Sequence, residues 1–193
     1  MVHTRVHLPV FPDGDQSKRR YLKIPMSLPI LFLAGPIRNA PQWHTDAIRI
    51  ALKQDWEGLI VAPAHQIDTD LLDLVEPDSP KYDVFSRQRA WEQYYMYKAV
   101  ESGCIMFWLC KEAAVRHFPG KVYAHITMLE LGKWIERRKF LPQTQLVIGT
   151  DGEFPELSTI EFEIGTELPG FVIHRSLQET VDAALKTTLN AKE

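Results

Sequence analysis

The sequence predicts an α/β domain built on an open, five-stranded parallel sheet with helices on both faces. Three observations carry this prediction. Short, continuous apolar runs such as Ile30-Leu31-Phe32-Leu33-Ala34 read as strands buried on both faces. Segments of helical periodicity lie between them. Strand and helix alternate through most of the chain, as βαβ units require.

The elements follow in order. Residues 1–28 are broken by Pro9, Pro12, Gly14 and Pro25, and Val6, Leu8 and Val10 alternate with other types. This segment reads either as a hairpin at the domain edge or as an arm, and residues 29–193 read as one domain. The first strand, Ile30 to Ala34, ends at Gly35-Pro36. Trp43 to Gln54 carries apolar residues at helical spacing. Leu59-Ile60-Val61-Ala62 is a second strand, stopped by Pro63. Residues 64–86 are polar and rich in Asp and Pro, a long loop of the kind that usually has a function. Arg87 to Ser102 is predicted helical, Ile105 to Leu109 a third strand, and residues 110–123 a loop. Ala124 to Arg138 is a helix with basic residues in its last turn, where the helix dipole favours them. Leu146 to Gly149 and Phe171 to Ile173 complete the sheet. Ser176 caps a final helix to about Leu189, with Glu179 at the capping-box position.

Composition narrows the function. The 193 residues are 45% apolar and 24% charged, as in a globular domain. A net charge of −3 gives no basic footprint for nucleic acid. No apolar run approaches the roughly 20 residues that span a bilayer, and the first residues lack the apolar core of a signal peptide. Cys104 and Cys110 are spaced too far apart along one strand to bridge. They are expected to be reduced core residues of a cytoplasmic protein. No spacing of Cys and His suggests a metal site.

In an open parallel sheet, ligands bind beyond the carboxyl ends of the strands. The candidate site therefore collects from the loops after Ala34, Ala62 and Leu109. After the first strand come Gly35, Pro36, Ile37 and Arg38. The glycine permits close backbone approach, and Arg38 beside a helix start suits an anion. An ordinary strand-to-helix turn reads the same way. His65 and Gln66 follow the second strand, and a Gln amide can both donate to and accept from a base edge. Facing water is the plainer alternative for both. Trp91-Glu92 lies on the second helix, with Arg89 at ion-pair spacing from Glu92. By spacing alone Glu92 belongs on a solvated face, although Trp91 beside it suggests partial burial. Tyr94, Tyr95 and Tyr97 suggest packing or a subunit contact. His117, His125 and His174 sit in no recognisable pair.

Glu130 stands apart, within Ile126-Thr127-Met128-Leu129-Glu130-Leu131-Gly132. A carboxylate among apolar residues is costly to bury unless it is paired or used, and burial raises its pKa. On a helical wheel, Met128, Leu131, Gly132 and Ile135 form a stripe that should face the sheet. Ile126, Leu129 and Trp134 lie opposite. A helix apolar on two sides is expected to be covered twice, the second time by a neighbouring subunit. The plainer alternative pairs Glu130 with Arg137 or Arg138.

Taken in order, Leu33-Ala34-Gly35-Pro36-Ile37, Gln88-x-x-Trp91-Glu92, Phe107-Trp108 and Thr127-x-x-Glu130-Leu131-Gly132 resemble the nucleoside 2-deoxyribosyltransferase family. The likeness runs from about Ile30 to Gly149 and is closest to the branch named nucleoside 2-deoxyribosyltransferase-like. It implies a flavodoxin-like fold and a homo-oligomer with sites near subunit contacts. It also implies cleavage of the N-glycosidic bond of a 2′-deoxynucleoside, with transfer of the sugar to a free base. No cofactor or metal is implied. Glu130 falls on the family's nucleophile, Gln66 on a base-contacting position, and Gly35-Pro36 at the start of the sugar and base pocket. Trp91-Glu92 falls on the branch's signature. Two positions depart from the family: Ala124 stands where an Asp precedes the nucleophile, and the region of Met96 lacks a second Asp. Glu92 or His125 would then supply the proton to the leaving base. A deoxynucleoside 5′-monophosphate hydrolase, with Arg38 on the phosphate, and a non-catalytic nucleotide sensor are the alternative expectations.

Overall fold

The computed structural model describes residues 4–7, 28–63, 84–116 and 118–190, with the side chains of all but residues 7, 84–88 and 190. Gln66 and His65, with most of the 64–86 loop, lie outside the described residues, as does the second half of the hairpin expected at the N-terminus.

The strands are β1 (Arg5–His7), β2 (Ile30–Ala34), β3 (Leu59–Val61), β4 (Gly103–Leu109), β5 (Leu146–Thr150) and β6 (Ile173–His174). The helices are α1 (Trp43–Leu52), α2 (Val84–Ser102), α3 (His125–Phe140), α4 (Leu157–Glu167) and α5 (Leu177–Asn190). All strand pairings are parallel, in the order β1-β3-β2-β4-β5-β6. From β3 to β6 this is the flavodoxin-like order, α/β as expected. The sheet has six strands rather than five. The sixth comes from the N-terminal segment, where Val6 pairs with Ile60 and is fully buried. β1 is too short for its alternation to announce a parallel partner more than 50 residues away.

Alternate side chains along the strands feed two cores. Leu31, Leu33, Cys104 and Met106 pack with α1 and α5 on one face. Ile30, Phe32, Ala34, Ile105 and Phe107 pack with α2, α3 and α4 on the other. Such double burial produces uninterrupted apolar runs. α5 starts as expected: Ser176 Oγ accepts from the Glu179 N–H at 3.2 Å. The Glu179 carboxylate accepts from the Arg175 N–H at 3.3 Å, one residue earlier than a capping box requires.

α3 departs from its expected orientation. It buries Thr127, Leu131 and Trp134, not the stripe through Met128 and Gly132. Trp134 decides this register: its ring is fully buried in the helix–sheet core, and its Nε1–H points at Met96 Sδ, 3.1 Å away. Leu129 is left 69% exposed and Met128 is exposed beside it. Among the described residues, a Cβ on Gly132 would stand in open space.

Candidate active site

β2 is the switch point of the sheet. The chain leaves it toward β3 on one side and returns through α2 to β4 on the other. The loops beyond β2 and β4 therefore diverge, and a crevice opens where they part. A cavity of about 180 Å³ occupies that place. Its walls come from the three loops expected: Gly35, Pro36, Ile37 and Arg38 after β2, Pro63 after β3, and Lys121, Val122 and Ala124 from the segment after β4. Helix α2 adds Arg89 and Glu92, and the first turns of α3 add His125, Ile126, Thr127 and Glu130. An apolar cavity of about 150 Å³ holds benzene, so this volume suits a pentose or a single base.

The turn after β2 is shaped by glycine. A Cβ on Gly35 would lie 2.6 Å from both the Trp108 carbonyl oxygen and the Trp43 ring, so only glycine lets β2 pass this close to the end of β4. Trp43 fixes the turn from the other side, its Nε1–H donating to the Pro36 carbonyl at 2.8 Å. Asn39 follows in left-handed conformation (φ 59°) and is buried. Its Oδ1 accepts from the Phe118 N–H at 2.9 Å, its Nδ2 donates to the Phe118 carbonyl at 3.3 Å, and its own carbonyl accepts from the Ala113 N–H at 2.6 Å. Asn39 thus stitches the loop after β2 to the loop after β4. Nothing in the sequence marked it beyond the tolerance of Asn for this conformation.

The polar centre of the site is a triad of charges. One guanidinium nitrogen of Arg89, on α2, contacts both Glu92 on its own helix and Glu130 on α3, the latter at 2.7 Å. The side chains are 22%, 7% and 13% exposed for Arg89, Glu92 and Glu130. Glu92 is therefore not on the solvated face that its spacing suggested, because α2 turns that face toward α3 and the cavity. Glu130 pairs with Arg89 and not with its own helix: Arg137 stacks on Tyr97 at 4.8 Å, and Arg138 donates to the Thr144 carbonyl at 2.5 Å. Sequence reasoning paired Arg89 with Glu92 but not with Glu130, because that contact joins residues 41 positions apart on different helices.

Burial pushes the Glu130 carboxyl above its ordinary range, and the charges of Arg89 and, behind it, Lys133 pull it only partly back. Its Oε1 is buried and held by the 2.7 Å contact with Arg89 Nη1. Arg89 in turn is held charged against its own burial, Glu130 contributing most and Glu92 next.

The remaining candidates sort by position. Arg38 is exposed at the cavity edge, its guanidinium 5.7 Å over the Phe118 ring. His125 is exposed in the cavity wall, with Nδ1 3.1 Å from the Val122 carbonyl. Trp91 does not line the cavity. It is 1% exposed and packs on Tyr95, ring centroids 4.9 Å apart, because its side of α2 faces the sheet. Ala124, in left-handed conformation, leads into α3 without a side-chain cap. The residues of that first turn line the cavity, and the free N–H groups of a helix start favour negative charge nearby.

Among the described residues, no group of three or more His, Cys, Asp or Glu side chains is placed to hold a metal ion. No helix among them is long and apolar enough to cross a membrane. Neither a protein-family model nor a curated protein matches this chain.

Proposed function

We propose that this protein cleaves the N-glycosidic bond of a 2′-deoxynucleoside and transfers the sugar to a second base through a covalent ester on Glu130. The observation that carries the reading is the placement of Glu130. It is a largely buried carboxylate in a sugar-sized cavity at the switch point, with a cation alongside. The resemblance of the Thr127-x-x-Glu130-Leu131-Gly132 stretch to the nucleoside 2-deoxyribosyltransferases supports the same assignment.

The chemistry parallels retaining glycoside hydrolysis. A Glu130 oxygen bonds to C1′ as the C1′–N bond breaks, and the bonding pair leaves with the base, which takes up a proton. A nitrogen of the incoming base then attacks C1′, the ester opens, Glu130 regains its charge, and the incoming base gives up a proton. Arg89 offsets part of the burial that disfavours the ionised nucleophile. Glu92, paired to the same guanidinium, holds Arg89 in place. His125, in the cavity wall, is the better-placed carrier for the leaving base. Gly35 and Pro36 shape the wall against which the sugar packs. The exposed Leu129 and Met128, next to Glu130 on α3, fit a homo-oligomer whose subunits meet beside the site.

The test is chromatographic. Deoxyinosine with adenine should yield deoxyadenosine, and the same assay with the other common deoxynucleosides and bases defines the preference. Glu130→Ala should lose turnover by at least about 10³-fold, as removal of a nucleophile does. Mass spectrometry of acid-quenched protein should find a deoxyribosyl adduct on the peptide containing Glu130. Transfer that survives in Glu130→Ala would overturn the mechanism.

A further inference from the structure

The segment that leads into α3 is held to the fold by one side chain. From Phe118 to Val122 every residue is exposed, and Tyr123 is the first of the run to pack. Its ring lies against Phe154, centroids 6.0 Å apart. Its hydroxyl shares one proton between the Cys110 and Lys111 carbonyls, each at 2.8 Å, and the Cys110 sulfur lies 3.7 Å from the same oxygen. Cys110 and Lys111 directly follow β4, so this hydroxyl clasps the two ends of the loop between β4 and α3 together.

The next two residues show what the clasp holds. Ala124 turns into α3 in left-handed conformation, φ 55°, which crowds a residue that carries a Cβ. Such a conformation persists only where its surroundings enforce it, and such outliers cluster at functional sites. The start of α3 has no side-chain cap to do so, whereas Tyr123 is adjacent and pinned. His125, on the other side of the kink, lines the cavity with Nδ1 3.1 Å from the Val122 carbonyl. A carbonyl only accepts, so this contact requires the hydrogen on Nδ1 and leaves Nε2 as the nitrogen that takes up or gives a second proton. The contact spans Tyr123 and Ala124, and its geometry therefore depends on the backbone that Tyr123 pins.

We propose, resting on the glycosidic reading of Glu130, that Tyr123 is a positioning residue for proton transfer. Its clasp keeps the Val122 carbonyl on His125 Nδ1 and so fixes Nε2 as the atom that serves the leaving base. In the first step the His125 imidazolium gives its Nε2 proton to the base, which also takes the C1′–N bonding pair, while a Glu130 oxygen bonds to C1′. The imidazole is left neutral, with its remaining hydrogen on Nδ1 toward Val122. In the second step the incoming base attacks C1′, the ester opens, and the proton that this base gives up returns to Nε2. Tyr123 touches no reacting atom in either step.

Magnetic resonance and leaving-group kinetics test the proposal. In long-range proton–nitrogen spectra of the unaltered protein at alkaline pH, neutral His125 should carry its hydrogen on Nδ1. Tyr123→Phe keeps the ring and removes the clasp; circular dichroism should show the fold retained, and His125 should lose its single tautomer. The kinetic pair is deoxyguanosine, whose base needs a proton to leave, and 7-methyldeoxyguanosine, whose base leaves neutral without one. Deoxyuridine and 5-fluorodeoxyuridine serve if only pyrimidines are cleaved. Tyr123→Phe should slow the first of each pair at least about tenfold, a part of the roughly 10²-fold that a general acid supplies, and leave the second nearly unchanged. Tyr123→Phe combined with His125→Ala should be no slower than His125→Ala alone. Equal slowing of both substrates, additive losses in the double variant, or a tautomer unmoved by Tyr123→Phe overturns the role of Tyr123 and leaves the glycosidic reading standing. A hydrogen on Nε2 in the unaltered protein does the same, even if Tyr123→Phe does not fold. Turnover of none of the four common deoxynucleosides by the unaltered protein overturns both readings together.

Discussion

Arg89 Nη1 lies 2.7 Å from Glu130 Oε1 while pairing with Glu92, so one guanidinium ties α2 to α3 along the wall of the cavity. The arrangement offsets part of the burial that opposes the carboxylate's charge. Its energetic balance is measurable.

Glu130→Gln should make the fold more stable at neutral pH. The folded carboxyl titrates above its ordinary value of 4.5, so its favourable contribution is complete only below that value and is lost as pH rises through the folded pKa. Thermal melts of both proteins from pH 3.5 to 8 should show the variant gaining stability as pH rises and no difference at the acid end. A variant less stable at pH 8 would mean that the ion pair outweighs the burial.

Arg89→Ala should leave two largely buried carboxylates without their cation. Removing one member of a fully buried pair costs about 3–5 kcal/mol, and partial exposure of Arg89 lowers the expectation to about 2 kcal/mol. Because Arg89 pulls the Glu130 pKa down, its loss should move the acidic limb of the kcat/KM profile to higher pH. Arg89→Lys should restore part of that shift. An unmoved limb in Arg89→Ala would detach Arg89 from the nucleophile.

Gly35→Ala should damage both fold and site. The new methyl would meet the Trp108 carbonyl and the Trp43 ring at 2.6 Å, and overpacking of this kind costs about 1–3 kcal/mol. Denaturant unfolding should show the loss, and KM should rise because the cavity wall shifts.

His125→Ala should slow cleavage of substrates whose base needs a proton to leave, by about 10²-fold or more. A deoxyriboside with an acidic leaving group should be cleaved nearly as fast as by the unaltered protein. Equal slowing of both would assign His125 to binding instead.

The parts of the fold that could be read from sequence are those whose burial is complete. β2 and β4 appear as unbroken apolar runs because helices cover both their faces. α4 escaped because Ile160, Phe162 and Ile164 mix a two-residue with a four-residue spacing, and because Glu156, in left-handed conformation, gives no capping signal. On α3 the wheel weighed Met128 and Trp134 as equals, whereas the larger ring sets the orientation. In the site, Glu130 was visible as an oddity of composition and Glu92 as half of a local pair. That Arg89 serves both depends on how α2 docks against α3, and no spacing rule reports that. The stitching by Asn39 is equally a product of loops meeting in space.

The short β1 has a bearing on how the chain tolerates trimming. It lies outermost, against β3, whose Leu59, Ile60 and Val61 are fully buried and hydrogen-bonded on both sides. Without residues 5–7, β3 would become an unguarded rim of three aliphatic residues with unpaired N–H and C=O groups, a template for any passing strand. Those few N-terminal residues act as a selvedge: they move the rim of the sheet from the buried aliphatics of β3 to a strand of only 3 residues, and short edge strands are poor templates.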